Sequence, residues 1–252
     1  MPRLRIAHMP GNRYPDVLRV TVERRFRKEL GDATADHIGE ADLSDVAGIS
    51  GNLGTTEQSA ILIHYMAFYK KARVRKTRWH LRIMPRGETT SSMTHHKDAI
   101  FWCIADNQAI AQTISDNLTP EEIMSNKHLR WVYCHADLNQ QKRGGYTIDG
   151  YVIPRKMLHY DVDPKDQVQD LTPAETTGSS GVDPAGVPYL DTIAAQSSST
   201  AVYLNWGLKT ADGSTTLTLG DYVLYATFWQ EIELFEPMHH VQDFIQPYDP
   251  LP

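Results

Sequence analysis

FYKKARVRKTRWHLRIMP, residues 68–85, is the stretch that decides the fold. Seven of its eighteen positions are Lys or Arg, and from residue 76 onward two kinds of side chain alternate strictly. Alternate side chains of a β-strand point to opposite faces of the sheet, so the pattern predicts a strand with one packed face and one basic face. The predicted strand ends at Pro85, which has no N–H for a central ladder. The basic positions are Lys76, Arg78, His80 and Arg82, and the packed ones are Thr77, Trp79, Leu81 and Ile83.

A second segment near the N-terminus repeats this pattern. DVLRVTVERRFRK, residues 16–28, predicts a strand whose one face is apolar and whose other face is mainly basic. The apolar positions are Leu18, Val20, Val22 and Phe26, and the opposite positions are Arg19, Thr21, Glu23, Arg25 and Arg27. A charged strand face is usually only solvated, but two basic faces near one end of an acidic chain are also consistent with contact to phosphates.

The charge of the chain is unevenly distributed. Residues 1–86 contain 16 of the 25 Lys and Arg and 9 of the 31 Asp and Glu, which gives +7. Residues 87–252 contain the other 9 and 22, which gives −13, so that the two parts sum to the formal net charge of −6. Such asymmetry is typical of a nucleic-acid-facing surface, and equally of acidic and basic surfaces that meet between neighbouring subunits. Charge alone leaves both interpretations open.

Length and composition indicate one large β-domain. The chain has 252 residues, of which 41 % are hydrophobic and 22 % charged, as in an ordinary globular protein. No apolar run approaches the ~18 residues of a membrane-spanning helix, so we expect no membrane partner. The first residues, MPRLRIAHMPGN, have no apolar stretch of signal-peptide length, and Cys103 and Cys134 cannot form a disulfide framework. These features predict an intracellular, reduced protein.

The remaining elements complete a β-rich pattern. Thr119 begins TPEEIM and predicts a helix, because a capping residue precedes Pro at the first position and acids in the first turn. Long loops are expected at 31–56 and 161–200, and arms at 1–15 and 237–252. The total of about eight strands favours an all-β jelly roll of two packed antiparallel sheets, or another β-sandwich. The other strands are predicted at 99–105, 129–135, 146–160 (broken at Pro154), 201–209 and 219–235.

The sequence contains no motif for catalysis or for metal binding. Jelly-roll metalloenzymes of the cupin type use an HxH pair, which is absent, and the neighbours His95–His96 and His239–His240 would point apart on a strand. GxSxG, GxGxxG and the phosphate-binding GK[ST] are also absent. We therefore predict no catalytic residue, no metal site and no cofactor. The five tryptophans (Trp79, Trp102, Trp131, Trp206 and Trp229) are predicted to pack in the core or in a subunit interface rather than to stack on bases.

Four segments, in order, resemble those of circovirus capsid proteins. In residues 68–85 an aromatic pair leads into R-x-R-K and then into an alternating strand that ends before proline. DAIFWCIADN (98–107) resembles the short apolar strand that follows, and AVYLNWGLKT (201–210) the penultimate strand. GDYVLYATFWQEIELFEP (220–237) resembles the final strand with its closing proline. The resemblance extends over roughly residues 15–240, and its first and last segments are the specific ones.

The resemblance implies a single jelly-roll domain that self-assembles into a small icosahedral, T=1-like shell of 60 subunits around a circular single-stranded DNA genome. It also implies a host-cell receptor on the outer loops, and a location in the virion, with assembly in the host nucleus or cytoplasm. The family's long arginine-rich N-terminal arm is replaced here by Arg3, Arg5 and Arg13. We therefore expect nucleic-acid binding at the lumenal strand faces, by Arg19, Arg25, Arg27, Lys76, Arg78 and Arg82.

Two other classes of function remain open at this point. One is a cupin-like or lectin-like jelly roll that acts as an enzyme or binds a ligand, which a deep pocket between the sheets or a bound metal would reveal. The other is a shell-forming protein that packages nothing, because the arginine-rich arm is missing.

Overall fold

The computed structural model describes residues 15–30, 37–46, 48–49, 53, 62, 65–66, 68–85, 98–107, 118–135, 145–157, 168–173, 193–195, 201–213 and 222–237. These residues form ten strands, and two short helices are described in full. The strands are β1 (Val17–Leu30), β2 (His37–Asp42), β3 (Tyr69–Pro85), β4 (Ala99–Asp106), β5 (Arg130–Cys134), β6 (Tyr146–Val152), β7 (Gln169–Pro173), β8 (Ile193–Ala195), β9 (Tyr203–Thr210) and β10 (Tyr222–Pro237). The helices are α1 (Pro120–Ser125) and α2 (Pro154–Met157). Among the described residues, no helix is long and apolar enough to cross a membrane.

Eight of the strands form four nested antiparallel pairs. β1 pairs with β10, β2 with β9, β3 with β6, and β4 with β5. The pairs alternate between two sheets, so that the large sheet has the order β1-β10-β3-β6 and the small sheet β2-β9-β4-β5. This nesting is the double Greek key of a jelly roll, and it confirms the predicted fold class. The hairpin β7–β8 extends the large sheet beside the start of β3.

The core lies between the two sheets. Alternate positions of β1, β3 and β10 turn inward and are buried, and the sequence pattern predicted this alternation for β1 and β3. Phe228 of β10 packs edge-on against Phe26 of β1, with 5.6 Å between the ring centroids. Apolar side chains of β4 and β9, among them Phe101 and Trp206, meet them from the small sheet. The alternation of β1, β3 and β10 therefore separates a buried inner face from a polar outer face.

β3 keeps its apolar face inward over all its length through a β-bulge. Opposite β10, Lys76 faces Glu231 and Val74 faces Ile232, so Arg75 is the extra residue. The buried positions next to the bulge are even-numbered before it (Ala72 and Val74) and odd-numbered after it (from Thr77 to Ile83). A bulge adds one residue to one strand and thereby resets its alternation. This explains why the strict alternation of the sequence begins at Lys76.

Three tryptophans lie flat over glycines on neighbouring strands. A Cβ added to Gly150 would lie 2.3 Å from Trp79, and a Cβ added to Gly39 would lie 2.3 Å from Trp206. Each glycine is the register partner of its tryptophan across the strand pair. Gly207 and Trp102 repeat the arrangement on the outer face of the small sheet, where Ile123 of α1 helps to cover Trp102. The missing side chain at each glycine is thus the space that the indole fills.

α1 begins where the sequence predicted. The Thr119 side chain accepts a hydrogen bond from the backbone N–H of Glu122, and the Glu122 carboxylate accepts one from the backbone N–H of Thr119. This reciprocal capping box satisfies two of the N–H groups that a helix start leaves without partners.

A short backbone segment, residues 43–46, crosses the space between the sheets and is held by side chains of the large sheet. The Leu43 carbonyl accepts hydrogen bonds from Thr77 of β3 (2.9 Å) and Gln230 of β10 (3.2 Å). Three buried side chains bond the rest of this backbone segment: Gln230 donates to the Asp45 carbonyl, Arg24 donates to the Val46 carbonyl, and Gln169 donates to the Ser44 carbonyl and accepts from the Val46 N–H. Arg24 also donates to the Gln230 side chain and so connects two of them.

The structure corrects three predictions of loops and strand ends. β2 lies inside the predicted loop 31–56. The sequence did not reveal this strand because it is only six residues long and because the reason for Gly39, its contact with Trp206, lies on another strand. β7 and β8 lie inside the predicted loop 161–200, and they are too short to show a period. The strand predicted over 146–160 ends at Val152, and α2 follows it because Pro154 is pre-organised for a first helical position. The predicted arms 1–15 and 237–252 fall almost entirely outside the described residues, as do His95–His96 and His239–His240.

Replacing Gly150 by Ala should destabilise the protein by about 1–3 kcal/mol, because the new methyl group overlaps the Trp79 ring and must displace it. Urea unfolding of the unassembled chain measures the difference. Thr147→Ala, an exposed position on the same strand, is the control and should change stability far less. Equal unfolding midpoints for the two variants would contradict the packing described.

Replacing Gln230 by Met keeps the volume but removes every hydrogen bond that this side chain makes to residues 43–46 and to Arg24. Buried polar groups without partners each cost about 1–3 kcal/mol, so we expect a loss of at least ~2 kcal/mol in urea unfolding. Thr227→Val, on the other face of β10, is the matched control. A Gln230→Met protein as stable as this control would show that the network contributes nothing.

Candidate nucleic-acid interface

The side chains of β1, β10, β3 and β6 that point away from the core form one surface, which we call the outer face. All six predicted binding residues lie on it: Arg19, Arg25 and Arg27 from β1, and Lys76, Arg78 and Arg82 from β3. β10 lies between the two strands, so the two cationic rows are about 10 Å apart, twice the strand spacing. Residues from segments that are distant in sequence are thereby brought onto a single surface.

The outer face also carries acids, which the sequence analysis did not place there. Nine Lys and Arg side chains are present on it (Arg19, Arg25, Arg27, Lys71, Arg73, Arg75, Lys76, Arg78 and Arg82). Six carboxylates accompany them (Glu23, Glu29, Asp149, Glu231, Glu233 and Glu236), so the described residues of this face have a balance of 9 − 6 = +3. The surface is therefore cationic overall, and at least seven of its nine cations form ion pairs with its carboxylates.

Most of these pairs are exposed. Arg25 contacts Glu23 at 2.6 Å and Arg27 contacts Glu29 at 2.8 Å, both along β1. Arg78 of β3 lies 3.9 Å from Glu231 of β10. Exposed pairs of this kind are worth about 0–1 kcal/mol, because water and salt screen them. An incoming phosphate can therefore take over these guanidinium groups at little cost.

Glu233 is the exception, because its side chain is only 4 % exposed. Its carboxylate accepts hydrogen bonds from Arg19 (2.9 Å) and Arg73 (2.8 Å), and Arg75 lies 3.3 Å away. Burial by itself would raise the pKa of Glu233, but the hydrogen bonds from Arg73 and Arg19 and the charges of Arg73 and Arg75 outweigh burial and hold the pKa below its ordinary value of 4.5. Arg19 therefore joins β1 to β10, whereas the other five predicted residues have no contact with this cluster among the bonds described.

Aromatic side chains lie among the cations of the outer face. Tyr225 is 39 % exposed and Tyr151 is 60 % exposed, while Trp229 is half-buried. The Lys76 ammonium lies over the Tyr151 ring, 4.7 Å from its centroid. Of the other tryptophans, Trp131 is 41 % exposed on β5, and the remaining three are buried as predicted.

A cavity of about 460 Å³ lies where the edge of β6 approaches the small sheet. Its lining combines two aromatic rings with polar and charged groups, among them Trp79, Tyr151, Asp106, Asn126, His128 and Arg130. The two cysteines do not offer a reactive thiol, because burial raises the pKa of Cys103 and of Cys134 to about 12. Within the described part of the chain, no three His, Cys, Asp or Glu residues are grouped as metal ligands would be.

Comparison with known proteins gives similarities only among solved structures. No family model matches the chain, and no curated protein matches its sequence. The structure of Desmodium yellow mottle tymovirus is similar at 14 % identity and a TM-score of 0.35, over 94 % of this chain and 96 % of that one. The 60-mer of BFDV capsid protein is similar at 8 % identity and a TM-score of 0.38, over 88 % and 96 %. The Macrobrachium rosenbergii nodavirus structure has 11 % identity and a TM-score of 0.42, over 88 % and 58 %.

Replacing Glu233 by Gln should lower stability at neutral pH by about 1–3 kcal/mol, because three arginines lose their shared anion. The folded pKa is depressed, so the stabilisation is present above 4.5 and is lost as pH falls through the lower folded value. The wild-type protein should therefore lose more stability below pH 4.5 than Glu233→Gln does. Urea unfolding across this pH range measures both slopes.

Glu231→Gln is the control for that measurement, since Glu231 forms only a 3.9 Å pair with Arg78 and is 40 % exposed. If the free energy of unfolding changed with pH in parallel for the wild type and Glu233→Gln, Glu233 would not contribute to the loss of stability in acid.

Proposed function

We propose that this protein is a viral capsid protein, a structural and non-enzymatic subunit that self-assembles into a small icosahedral, T=1-like shell of 60 copies. The shell encloses a circular single-stranded DNA genome. The outer face of the large sheet, which points away from the jelly-roll core, lines the interior of the shell. The whole chain serves as one jelly-roll domain, with arms at 1–15 and 237–252. Its location is the virion, after assembly in the host nucleus or cytoplasm.

The observation that carries the proposal is the gathering of six predicted cations on one face of a jelly roll. They come from two segments that only the β1-β10-β3 pairing brings together. The segments that resemble circovirus capsid proteins coincide with β3 and β10 of the large sheet and with β4 and β9 of the small sheet. The fold and the placement of charge thus agree with the function that the resemblance implies.

Binding on this face would be governed by phosphate neutralisation. Lysine and arginine displace the counterions of a nucleic acid, so affinity falls steeply as salt rises and depends little on sequence. Five of the six predicted residues are in exposed or half-buried positions, outside the Glu233 cluster. A host-cell receptor would bind outer loops of the shell. β2 with residues 43–46, and the hairpin β7–β8, belong to the sheets and are not part of those loops.

The alternative function is that of a ligand-binding or enzymatic jelly roll, and the cavity beside β6 is the observation that favours it. Such a protein would stay a monomer or dimer and would bind a small molecule at Arg130 and His128. Particle formation separates the two proposals without reference to any ligand.

The test is charge reversal at Arg78 and Arg82 in the full chain, followed by size-exclusion chromatography at near-physiological salt. We expect wild-type material near the void volume, spherical particles in electron micrographs, and a 260/280 nm absorbance ratio that indicates nucleic acid. Arg78→Glu with Arg82→Glu should still assemble and should lower this ratio, because each reversal replaces a phosphate contact with repulsion.

Lys127→Glu is the matched control, since Lys127 is exposed after α1 and is not one of the cations of the outer face. An unchanged nucleic-acid content in the double variant would show that Arg78 and Arg82 do not contribute to packaging. Empty wild-type particles would identify a shell that packages nothing, and a stable monomer or dimer would overturn the capsid proposal.

A further inference from the structure

We propose that the outer face binds single-stranded nucleic acid by stacking bases on Tyr151 and Tyr225, in addition to contacting phosphates. This inference rests on the proposed function and specifies the form of nucleic acid that the face accepts. It is drawn from the strand register, which places each tyrosine beside arginines or a lysine.

Tyr225 lies on β10, between β1 and β3, and has a register partner on each of these two strands. Its register partners are Arg27 of β1 and Arg82 of β3, so a cationic side chain flanks the ring on both sides. Neighbouring strands are about 4.8 Å apart, which places both guanidinium groups within reach of the phosphates of a nucleotide stacked on the ring. The 39 % exposure of Tyr225 gives a base direct access.

Tyr151 lies in a second row, where its register partner is Arg78. The ammonium group of Lys76 lies over the ring at 4.7 Å, so a second cation sits at the same ring. At 60 % exposure, Tyr151 is the most exposed of the large apolar and aromatic side chains among the described residues. An aromatic ring in water beside two cations is the arrangement that sequence-tolerant binding of single strands uses.

Single strands fit this surface better than a duplex does. The bases of a duplex are paired and stacked inside the helix, and only its phosphates can approach a flat sheet. Every unpaired base presents a π-face, so the two tyrosines add affinity for a single strand without selecting its sequence. The face has a balance of only +3, and stacking therefore supplements a modest electrostatic attraction.

The experiment uses the full chain, freed of nucleic acid at high salt and checked as unassembled by size exclusion. Binding of a fluorescent oligothymidine and of a duplex with equal phosphate number is measured at several salt concentrations. Tyr151→Leu and Tyr225→Leu should each weaken oligothymidine binding by roughly five- to a hundredfold, the range measured for loss of one stacked base. They should leave duplex binding and the salt slope unchanged.

Tyr151→Phe and Tyr225→Phe keep the ring and should retain wild-type affinity, whereas Leu keeps apolar bulk without a π-face. Trp131→Leu removes an exposed aromatic ring from β5 of the small sheet and is the matched control, with no expected change. Far-ultraviolet circular dichroism confirms that each variant is folded before binding is measured.

The two proposals fail in different ways. Equal affinity of the wild type for the single strand and the duplex, or unaltered binding by both Leu variants, would overturn the stacking inference. If Arg78→Glu with Arg82→Glu abolished binding in that case, the phosphate-binding function would stand. Unaltered binding in the arginine variant as well would exclude Arg78 and Arg82 from nucleic-acid binding, while the capsid proposal itself is tested by particle formation.

Discussion

The central strand β10 imposes the constraint on which the rest of the structure depends. It pairs with β1 on one side and with β3 on the other, so each of its residues fixes a row across three strands. A slip of one residue would carry Glu233 into the core and Phe228 to the surface. Both placements are protected, since Phe228 packs on Phe26 and Glu233 binds arginines from both neighbouring strands. The bulge at Arg75 is what allows β3 to match β10 along its full length.

The backbone segment at 43–46 ties the two sheets together. It leaves β2 of the small sheet, and its carbonyl groups are satisfied by side chains on the inner face of the large sheet. A buried carbonyl without a partner would cost about 1–3 kcal/mol, so the inward polar residues of β1, β3 and β10 are required by the path of this segment. A polar residue at an otherwise apolar position, such as Gln230 or Arg24, is explained by this contact. The network makes the relative position of the sheets specific, where apolar packing alone would tolerate sliding.

The sequence predicted the elements whose signal is local. Alternation identified β1 and β3, a continuous apolar run identified β4, and the Thr119 capping pattern identified α1. β10 was predicted as a long strand over 219–235. β2 was missed because six residues with two glycine or alanine positions carry little period, and Gly39 is explained only by Trp206 on β9. The same limit applies to the site. Alternation placed the six predicted cations on strand faces, but their acidic partners depend on register: Arg19 and Glu233 are separated by 214 positions. No pattern within one segment reveals such a pair.

The paired charges explain how an acidic chain can present a cationic face that is also stable before it binds. Unpaired arginines on adjacent strands would repel one another across the sheet, and the interspersed carboxylates offset that repulsion. The pairs fall into two classes by burial. Glu233 is 4 % exposed and retains its arginines, while the pairs of Arg25, Arg27 and Arg78 are open to water. Exposed pairs of about 0–1 kcal/mol are exchanged readily for a phosphate, which carries the same charge as the carboxylate it replaces. In the proposed role, the first class holds the three strands in register and the second class binds the genome.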